Sequence, residues 1–294
     1  MGERCVCETD LVNFTKWCGH MPNPEEIYKK MEQYNCHIDE LIKLHGSMVE
    51  KIELVGDSVL LISVNVADMV SLCLSFLKMF TRIRPTIFND FIDVRMGIHV
   101  GDVYQGYIGG HKRVYGQTVN IASRLEQLGI PGTIHISEIA YSRLSQDERY
   151  SIGKNRLNNL KGIGNLNSLT LFSKLENSMI VEDNTLHMMI LAHIVNKQNN
   201  TTSVEVEGVF QCFEILKKQY FENVVVLDRF FQDADAFEKL REFRVWEREH
   251  RSEVQKFILI SGDEISTEFI DDVFVLKDEN FVVNFRTALM SMNA

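Results

Sequence analysis

Residues 48–64 read Met48-Val49-Glu50-Lys51-Ile52-Glu53-Leu54-Val55-Gly56-Asp57-Ser58-Val59-Leu60-Leu61-Ile62-Ser63-Val64. Two β-rich runs, Met48–Leu54 and Ser58–Val64, flank a short turn containing Gly56-Asp57, which predicts a β-hairpin. Upstream, Pro24-Glu25-Glu26 opens an amphipathic helix. Ile27, Met31, Tyr34, Ile38, Leu41, Ile42 and His45 recur there at helical spacing, and Gly46 stops it. A strand over about Arg4–Leu11 precedes that helix and carries Asp10 near its end. Downstream come a helix over about Asp68–Arg82 and strands Asp93–Val100 and Asp102–Ile108 around Gly101. A helix Gln117–Gln127, a strand Thr133–Ile136, a helix Ser137–Leu144 and a closing strand near Ser168–Ser173 follow. Residues 1–175 therefore read as one mixed α and β domain.

Residues 179–294 change rhythm. Met179–Val181, Val204–Glu207, Val224–Leu227, Phe257–Ser261 and Val273–Leu276 are short apolar, β-branched runs. Helical patterns, about Thr185–Asn196, Gly208–Tyr220, Ala234–Arg251 and Asn280–Met290, separate most of them. Strands alternating with helices, each strand apolar throughout, predict an α/β domain with a parallel sheet covered on both faces.

Charge divides the chain at the same place. The formal net charge of the 294 residues is −10. Residues 1–175 carry 19 Lys and Arg against 19 Asp and Glu, and residues 176–294 carry 12 against 22. The acidic balance argues against a general nucleic-acid binder. The longest apolar tract, Val59 to Met79, is broken by Asn65, Asp68 and three serines, so no membrane insertion is expected. No apolar signal region follows Met1, and the six cysteines make no CxxC pair, so reduced thiols in a cytoplasmic protein are expected.

Asp10 at a strand end and Asp57 on a hairpin turn can converge. Two carboxylates held together must share a proton or bind a cation. With oxygen ligands alone, Mg²⁺ or Mn²⁺ is expected, and two such ions fit phosphoryl chemistry. Taken alone this pairing is weak, because exposed turn aspartates are common. Its surroundings strengthen it. Asp10-Leu11-Val12-Asn13-Phe14-Thr15, Lys51 to Asp57, Arg95-Met96-Gly97-Ile98-His99-Val100-Gly101, Gly116-Gln117-Thr118-Val119-Asn120-Ile121-Ala122-Ser123-Arg124-Leu125-Glu126 and Leu160-Lys161-Gly162 occur in this order. Residues 1–175 resemble the catalytic domain of class III nucleotidyl cyclases, the adenylyl and guanylyl cyclases.

The resemblance implies an α+β ferredoxin-like fold working as a head-to-tail homodimer with its active sites at the interface. It implies that Asp10 and Asp57 hold two metal ions and that the backbone of Asn13, Phe14 and Thr15 cradles the triphosphate. Asn120 and Arg124 would come from the second chain, Asn120 to position the ribose and Arg124 to meet charge on the α-phosphate. Lys161 would bind the triphosphate. In the family, Glu at position 53 goes with guanine and Lys with adenine. A carboxylate accepts from guanine N1–H and the 2-amino group, whereas adenine N1 is itself an acceptor. The second base-reading position falls at Arg113, a departure from the family pattern; Arg can pair with guanine O6 and N7. GTP is the favoured substrate, with ATP and pyrimidine nucleotides as alternatives. A non-catalytic nucleotide-binding signalling adaptor is the alternative of another class.

In the second half, the carboxyl ends of the predicted parallel strands gather Glu182, Asp183, Asp228, Ser261 and Lys277 into one crevice. Residues 179–294 resemble a two-component receiver domain with a flavodoxin-like, five-stranded parallel sheet. That resemblance implies Asp228 as phosphoacceptor, Glu182 and Asp183 as ligands of one Mg²⁺, and Ser261 and Lys277 on the phosphoryl oxygens. Phe274 matches the aromatic switch position. The phosphodonor would be a separate histidine kinase or phosphotransfer protein. No Pro follows Asp228, and the stretch from Ser261 to Lys277 is short, so the fourth helix is expected to be short or missing. A receiver turned fixed dimerisation module stays open.

Overall fold

The computed structural model describes residues 2–292 other than 47, 90, 91, 146, 148, 232, 233 and 264–271. The chain divides into two compact units, Met1–Glu148 with Ile152–Ser173, and Arg149–Ser151 with Lys174–Ala294.

The elements of the first part are, in order, β1 (Gly2–Val12), α1 (Phe14–His20), α2 (Pro24–Leu44), β2 (Val49–Val55), β3 (Ser58–Ser63), α3 (Val66–Phe88), β4 (Asp93–Ile108), β5 (His111–Tyr115), α4 (Gln117–Leu128), β6 (Ile134–Ser137), α5 (Glu138–Tyr141), β7 (Tyr150–Ile152), β8 (Arg156–Leu160) and β9 (Gly164–Leu175). The main sheet runs β9-β6-β4-β1-β3-β2. β1 lies between β3 and β4 and is antiparallel to both. The path β1-α2-β2-β3-α3-β4 with order 4-1-3-2 is the split βαβ, ferredoxin-like arrangement.

Side chains alternate across β1. Cys5 and Cys7 face α3, where Cys7 Sγ lies 3.6 Å from Cys73 Sγ. On that side Tyr34 meets Phe76, Phe80 and Phe88 edge-on at ring separations of 5.6–6.2 Å. Val6 faces the other way, into a core with Leu60, Ile62, Val103, Val114 and Ala122 of α4.

Two expectations are corrected here. Asp93–Ile108 is one continuous strand, not two around Gly101. The glycine serves packing: a Cβ on Gly101 would lie 2.8 Å from Thr118 Oγ1 of α4. Helix α3 does not end at Arg82 but runs through Pro85 to Phe88, because Ile87 and Phe88 bury fully beyond it. The structure adds helix α1 and strands β5, β7 and β8 to the expected elements. Gly109 and Gly110, at φ 59° and 79°, form the two-residue turn that pairs Ile108 with His111.

The second unit carries β10 (Met179–Val181), α6 (Thr185–Asn199), β11 (Val204–Val206), α7 (Val209–Leu216), β12 (Gln219–Phe221), β13 (Val225–Asp228), α8 (Ala236–His250), β14 (Phe257–Ser261), β15 (Val273–Leu276) and α9 (Phe281–Met292). Five strands form a sheet of order β11-β10-β13-β14-β15. The recorded pairings are parallel. One face buries Val181, Leu227 and Leu259 with α7 and α8; the other buries Ile180, Val226 and Ile258 with α6 and α9. Helix α7 stops at Leu216, short of the expected Tyr220. The segment Gln219–Phe221 is extended instead, held by Gln255, which accepts from Phe221 N–H (2.9 Å) and donates to Phe221 O (2.8 Å). The expected short or missing fourth helix falls outside the described residues.

Candidate active site

Asp10 and Asp57 meet because of strand register. β1 pairs with β3 up to Thr9 opposite Val59, which sets Asp10 beside the β2–β3 turn. That turn has two residues, Gly56 and Asp57, between paired Val55 and Ser58. Gly56 takes a φ of 64°, where a side chain would be strained. Burial first, and the Asp10 carboxylate next, push the Asp57 carboxyl up to about 6. Backbone N–H groups of Asp57 and Leu11 oppose that shift.

A carboxyl destabilised in its charged form by burial and by a second carboxylate beside it is a fit for a hard cation. Among the described residues no group of three or more His, Cys, Asp or Glu is arranged to hold a metal. A two-carboxylate seat is still the usual one for Mg²⁺ when phosphate oxygens of a substrate complete the coordination.

Around the pair lie charged residues to which the resemblance assigns no role. Arg95 stands opposite Asp10 in the β1–β4 register, with Nη2 3.3 Å from Asp10 Oδ2. Its Nε lies 2.8 Å from Oε1 of Glu126 on α4. Glu126 is 3% exposed, and burial pushes its carboxyl up to about 7 against the pull of Arg95. Glu8, on the same face of β1 as Asp10, accepts a hydrogen bond from Ser58 Oγ. Burial raises the Glu8 carboxyl as well.

The sequence held a signal for one of these residues. Glu126 is four residues after Ala122, inside the apolar stripe Ile121, Ala122 and Leu125; a carboxylate there needs a partner. Arg95 is that partner.

Glu53 and Arg113 come together as an ion pair, both half-buried. β5 brings Arg113 there. An irregularity in the β2–β3 register between Lys51 and Glu53 re-aims Glu53. Asn13 takes the left-handed conformation (φ 69°, ψ 14°) and begins α1, where its carbonyl accepts from Trp17 N–H at 2.9 Å. The N–H groups of a first helical turn, here Phe14 and Thr15, have no partner within the helix. Asn120 is exposed on α4, and Arg124 donates to Gln127 of the same helix at 2.8 Å. Lys161 is exposed on the β8–β9 turn. The structure thus joins Asp10 to Asp57 and Glu53 to Arg113, and leaves Asn120, Arg124 and Lys161 at the surface.

In the second unit the five strand-end residues lie at one edge. Lys277 Nζ is 2.9 Å from Asp228 Oδ2 and 3.3 Å from Glu182 Oε2. Lys277 N–H donates to Ser261 O at 2.8 Å. Glu182 is 1% exposed and accepts from Asn184 N–H. Burial raises the Asp228 carboxyl, with Lys277 opposing. Asp183 is exposed, and Phe274 lies edge-on to Phe237 at 6.3 Å.

Comparison with known proteins agrees with the first unit. Residues 1–173 match the adenylate and guanylate cyclase catalytic domain, and the chain belongs to that family. The chain is 26% identical over 251 residues to the germination-specific adenylate cyclase of Dictyostelium discoideum, covering 74% of this chain and 28% of that protein. It is 28% identical over 181 residues to the receptor-type guanylate cyclase gcy-4 of Caenorhabditis elegans, covering 57% of this chain and 16% of that protein. The chain thus spans well under a third of either relative. The guanylate cyclase domain of RhGC from Catenaria anguillulae, solved with GTP, superposes with TM-score 0.52 at 25% identity, over 58% of this chain and 96% of that one. The guanylyl cyclase Cya2 superposes at 0.53 with 21% identity, over 58% and 92%. Among the described residues no helix is long and apolar enough to cross a membrane.

Proposed function

We propose that residues 1–175 cyclise a nucleoside triphosphate, GTP in preference, to its 3′,5′-cyclic nucleotide and pyrophosphate. The observation that carries this is the Asp10–Asp57 carboxylate pair within the five ordered motifs. Two divalent ions, Mg²⁺ or Mn²⁺, held by this pair would supply the activated 3′-hydroxyl and charge neutralisation on the phosphates. The N–H groups of Asn13, Phe14 and Thr15, with Lys161, receive the triphosphate. Asn120 and Arg124 act from a second copy of the chain: Asn120 orients the ribose, and Arg124 meets the charge growing on the α-phosphate. Asn120 is exposed and Arg124 half-buried on α4, and among the described residues no contact joins either to Asp10 or Asp57, which suits a site completed by a homodimer.

Glu53 and Arg113 read the base. Paired, they offer one acceptor edge and one donor edge, complementary to guanine N1–H with the 2-amino group and to O6 with N7. Incubation with ATP, GTP, CTP and UTP separately in Mn²⁺, with chromatographic separation of products, tests both activity and base. Cyclic GMP as main product is expected; no cyclic product from any of the four overturns the proposal.

Residues 179–294 are proposed to be a receiver that modulates the cyclase. The convergence of Asp228, Glu182 and Lys277 at the strand ends supports this, as does the doubly wound strand order 2-1-3-4-5. Asp228 would take the phosphoryl group from a histidine kinase or phosphotransfer protein, with Glu182 and Asp183 on Mg²⁺ and Ser261 and Lys277 on the phosphoryl oxygens.

A further inference from the structure

One protomer supplies two different half-sites in the proposed enzyme. Asp10 and Asp57 serve one, and Asn120 and Arg124 on α4 serve the other. A continuous strut of charged side chains joins them. Asp10 and Arg95 face each other across β1 and β4, so their side chains are neighbours on one face of the sheet. α4 lies directly on that face. A Cβ on Gly97, two residues after Arg95, would meet Ala122 O at 2.1 Å and Glu126 N at 2.2 Å. This close seat lets the Glu126 carboxylate reach Arg95 Nε at 2.8 Å while Arg95 Nη2 reaches Asp10 Oδ2 at 3.3 Å. The guanidinium is a planar fork and can serve both carboxylates at once.

We propose that Arg95 and Glu126 are positioning residues. Glu126 holds the Arg95 guanidinium on the α4 side, so that Arg95 orients Asp10 without competing with a cation for it. The inference takes as given that Asp10 holds a metal. Neutralising Glu126 alone releases Arg95 to pair fully with Asp10, which a divalent ion must then displace. Removing both charges removes the competitor. A purely structural contact would behave otherwise: the double substitution would be at least as harmful as the single one.

The test is Mn²⁺ binding to the full chain without nucleotide at pH 8, above the raised range of the Glu126 carboxyl, read from the free-ion signal in electron paramagnetic resonance. Asp10→Asn is the control and is expected to lower Mn²⁺ affinity at least tenfold. Glu126→Gln is expected to weaken binding at least about fivefold, the size of one charge pair at about 4 Å fully screened by water. Glu126→Asp, which keeps the charge but withdraws it from Arg95, shifts binding in the same direction and serves should Glu126→Gln not fold. Arg95→Gln combined with Glu126→Gln is expected to return affinity to within about threefold of wild type. If Asp10→Asn binds Mn²⁺ like wild type, the metal reading fails and this inference with it. If Asp10→Asn loses binding while both Glu126 variants keep it, or the double variant binds no better than Glu126→Gln, the positioning role alone is overturned.

Discussion

Replacing Gly97 with Ala is the sharpest perturbation of the seat that holds α4 against the sheet. The added Cβ would lie 2.1 Å from Ala122 O, 2.2 Å from Glu126 N and 2.8 Å from Glu126 Cα. All three are backbone atoms, so no side-chain rotation relieves the clash. The helix must withdraw by about 1 Å to restore ordinary contact. Overpacking of this kind costs about 1–3 kcal/mol, and contacts with rigid backbone put the cost near 3. For a unit of this size that is a fall in Tm of about 6–12 °C. Gly101→Ala is the built-in comparison. Its Cβ would meet Thr118 Oγ1 at 2.8 Å, a side chain that can turn at the loss of its hydrogen bond to Asp102 O. About 1 kcal/mol is expected there. Because α4 carries Asn120 and Arg124, the Gly97→Ala shift also lowers kcat, by up to about 100-fold for a displacement of this size. Differential scanning calorimetry and cyclase turnover on both variants check the reasoning. A Gly97→Ala protein within 2 °C of wild type, or one less affected than Gly101→Ala, would refute the close seat of α4.

Three further outcomes follow from the sites. The Asp57 carboxyl stands raised to about 6, so its folded form prefers the proton; it favours folding below its unfolded pKa near 4, and that contribution is lost as pH rises through 6. The Tm of metal-free wild type minus that of Asp57→Asn is therefore expected to fall between pH 4 and pH 7, and a flat or rising difference contradicts the carboxylate pair. Glu53→Lys removes the acceptor edge and leaves Arg113 without its partner; GTP turnover is expected to fall at least 100-fold with ATP turnover equal or raised, whereas unchanged GTP preference would remove Glu53 from base reading. Acetyl phosphate with Mg²⁺ is expected to label the wild-type chain and not Asp228→Asn; equal labelling places the phosphoryl group elsewhere.

The parts of the fold that could be read in advance are those where local pattern and tertiary role coincide. The Gly56-Asp57 hairpin, the Pro24 helix start and the five apolar runs of the second half are such places. Gly101 misled because a glycine in a strand reads as a break, and only the position of α4 reveals that it makes room for Thr118. The end of α3 lies past the expected Arg82: a proline disfavours a helix interior, yet burial of Ile87 and Phe88 carries the helix through Pro85. The β4–β5 hairpin turns on Gly109-Gly110, a pair suited to a two-residue turn, and its second strand brings Arg113 to Glu53. At the site, motif order pointed to Asp10 and Asp57. The strut through Arg95 to Glu126 needed the register of β1 with β4 and the depth of α4, which are properties of packing between distant segments.

The proposed dimeric site is tested most directly by mixing two inactive variants. On the proposed reading, Asp57→Ala would lack the metal seat and Arg124→Ala the cation on the α-phosphate; each alone is expected to lose at least 100-fold in kcat. Refolded together in equal amounts, half of the dimers would pair one chain of each kind, and each such dimer would contain one intact site of two. About a quarter of wild-type turnover is expected from the mixture. A mixture no more active than its components, from variants that dimerise, would contradict a site built from Asp10 and Asp57 of one chain and Asn120 and Arg124 of the other.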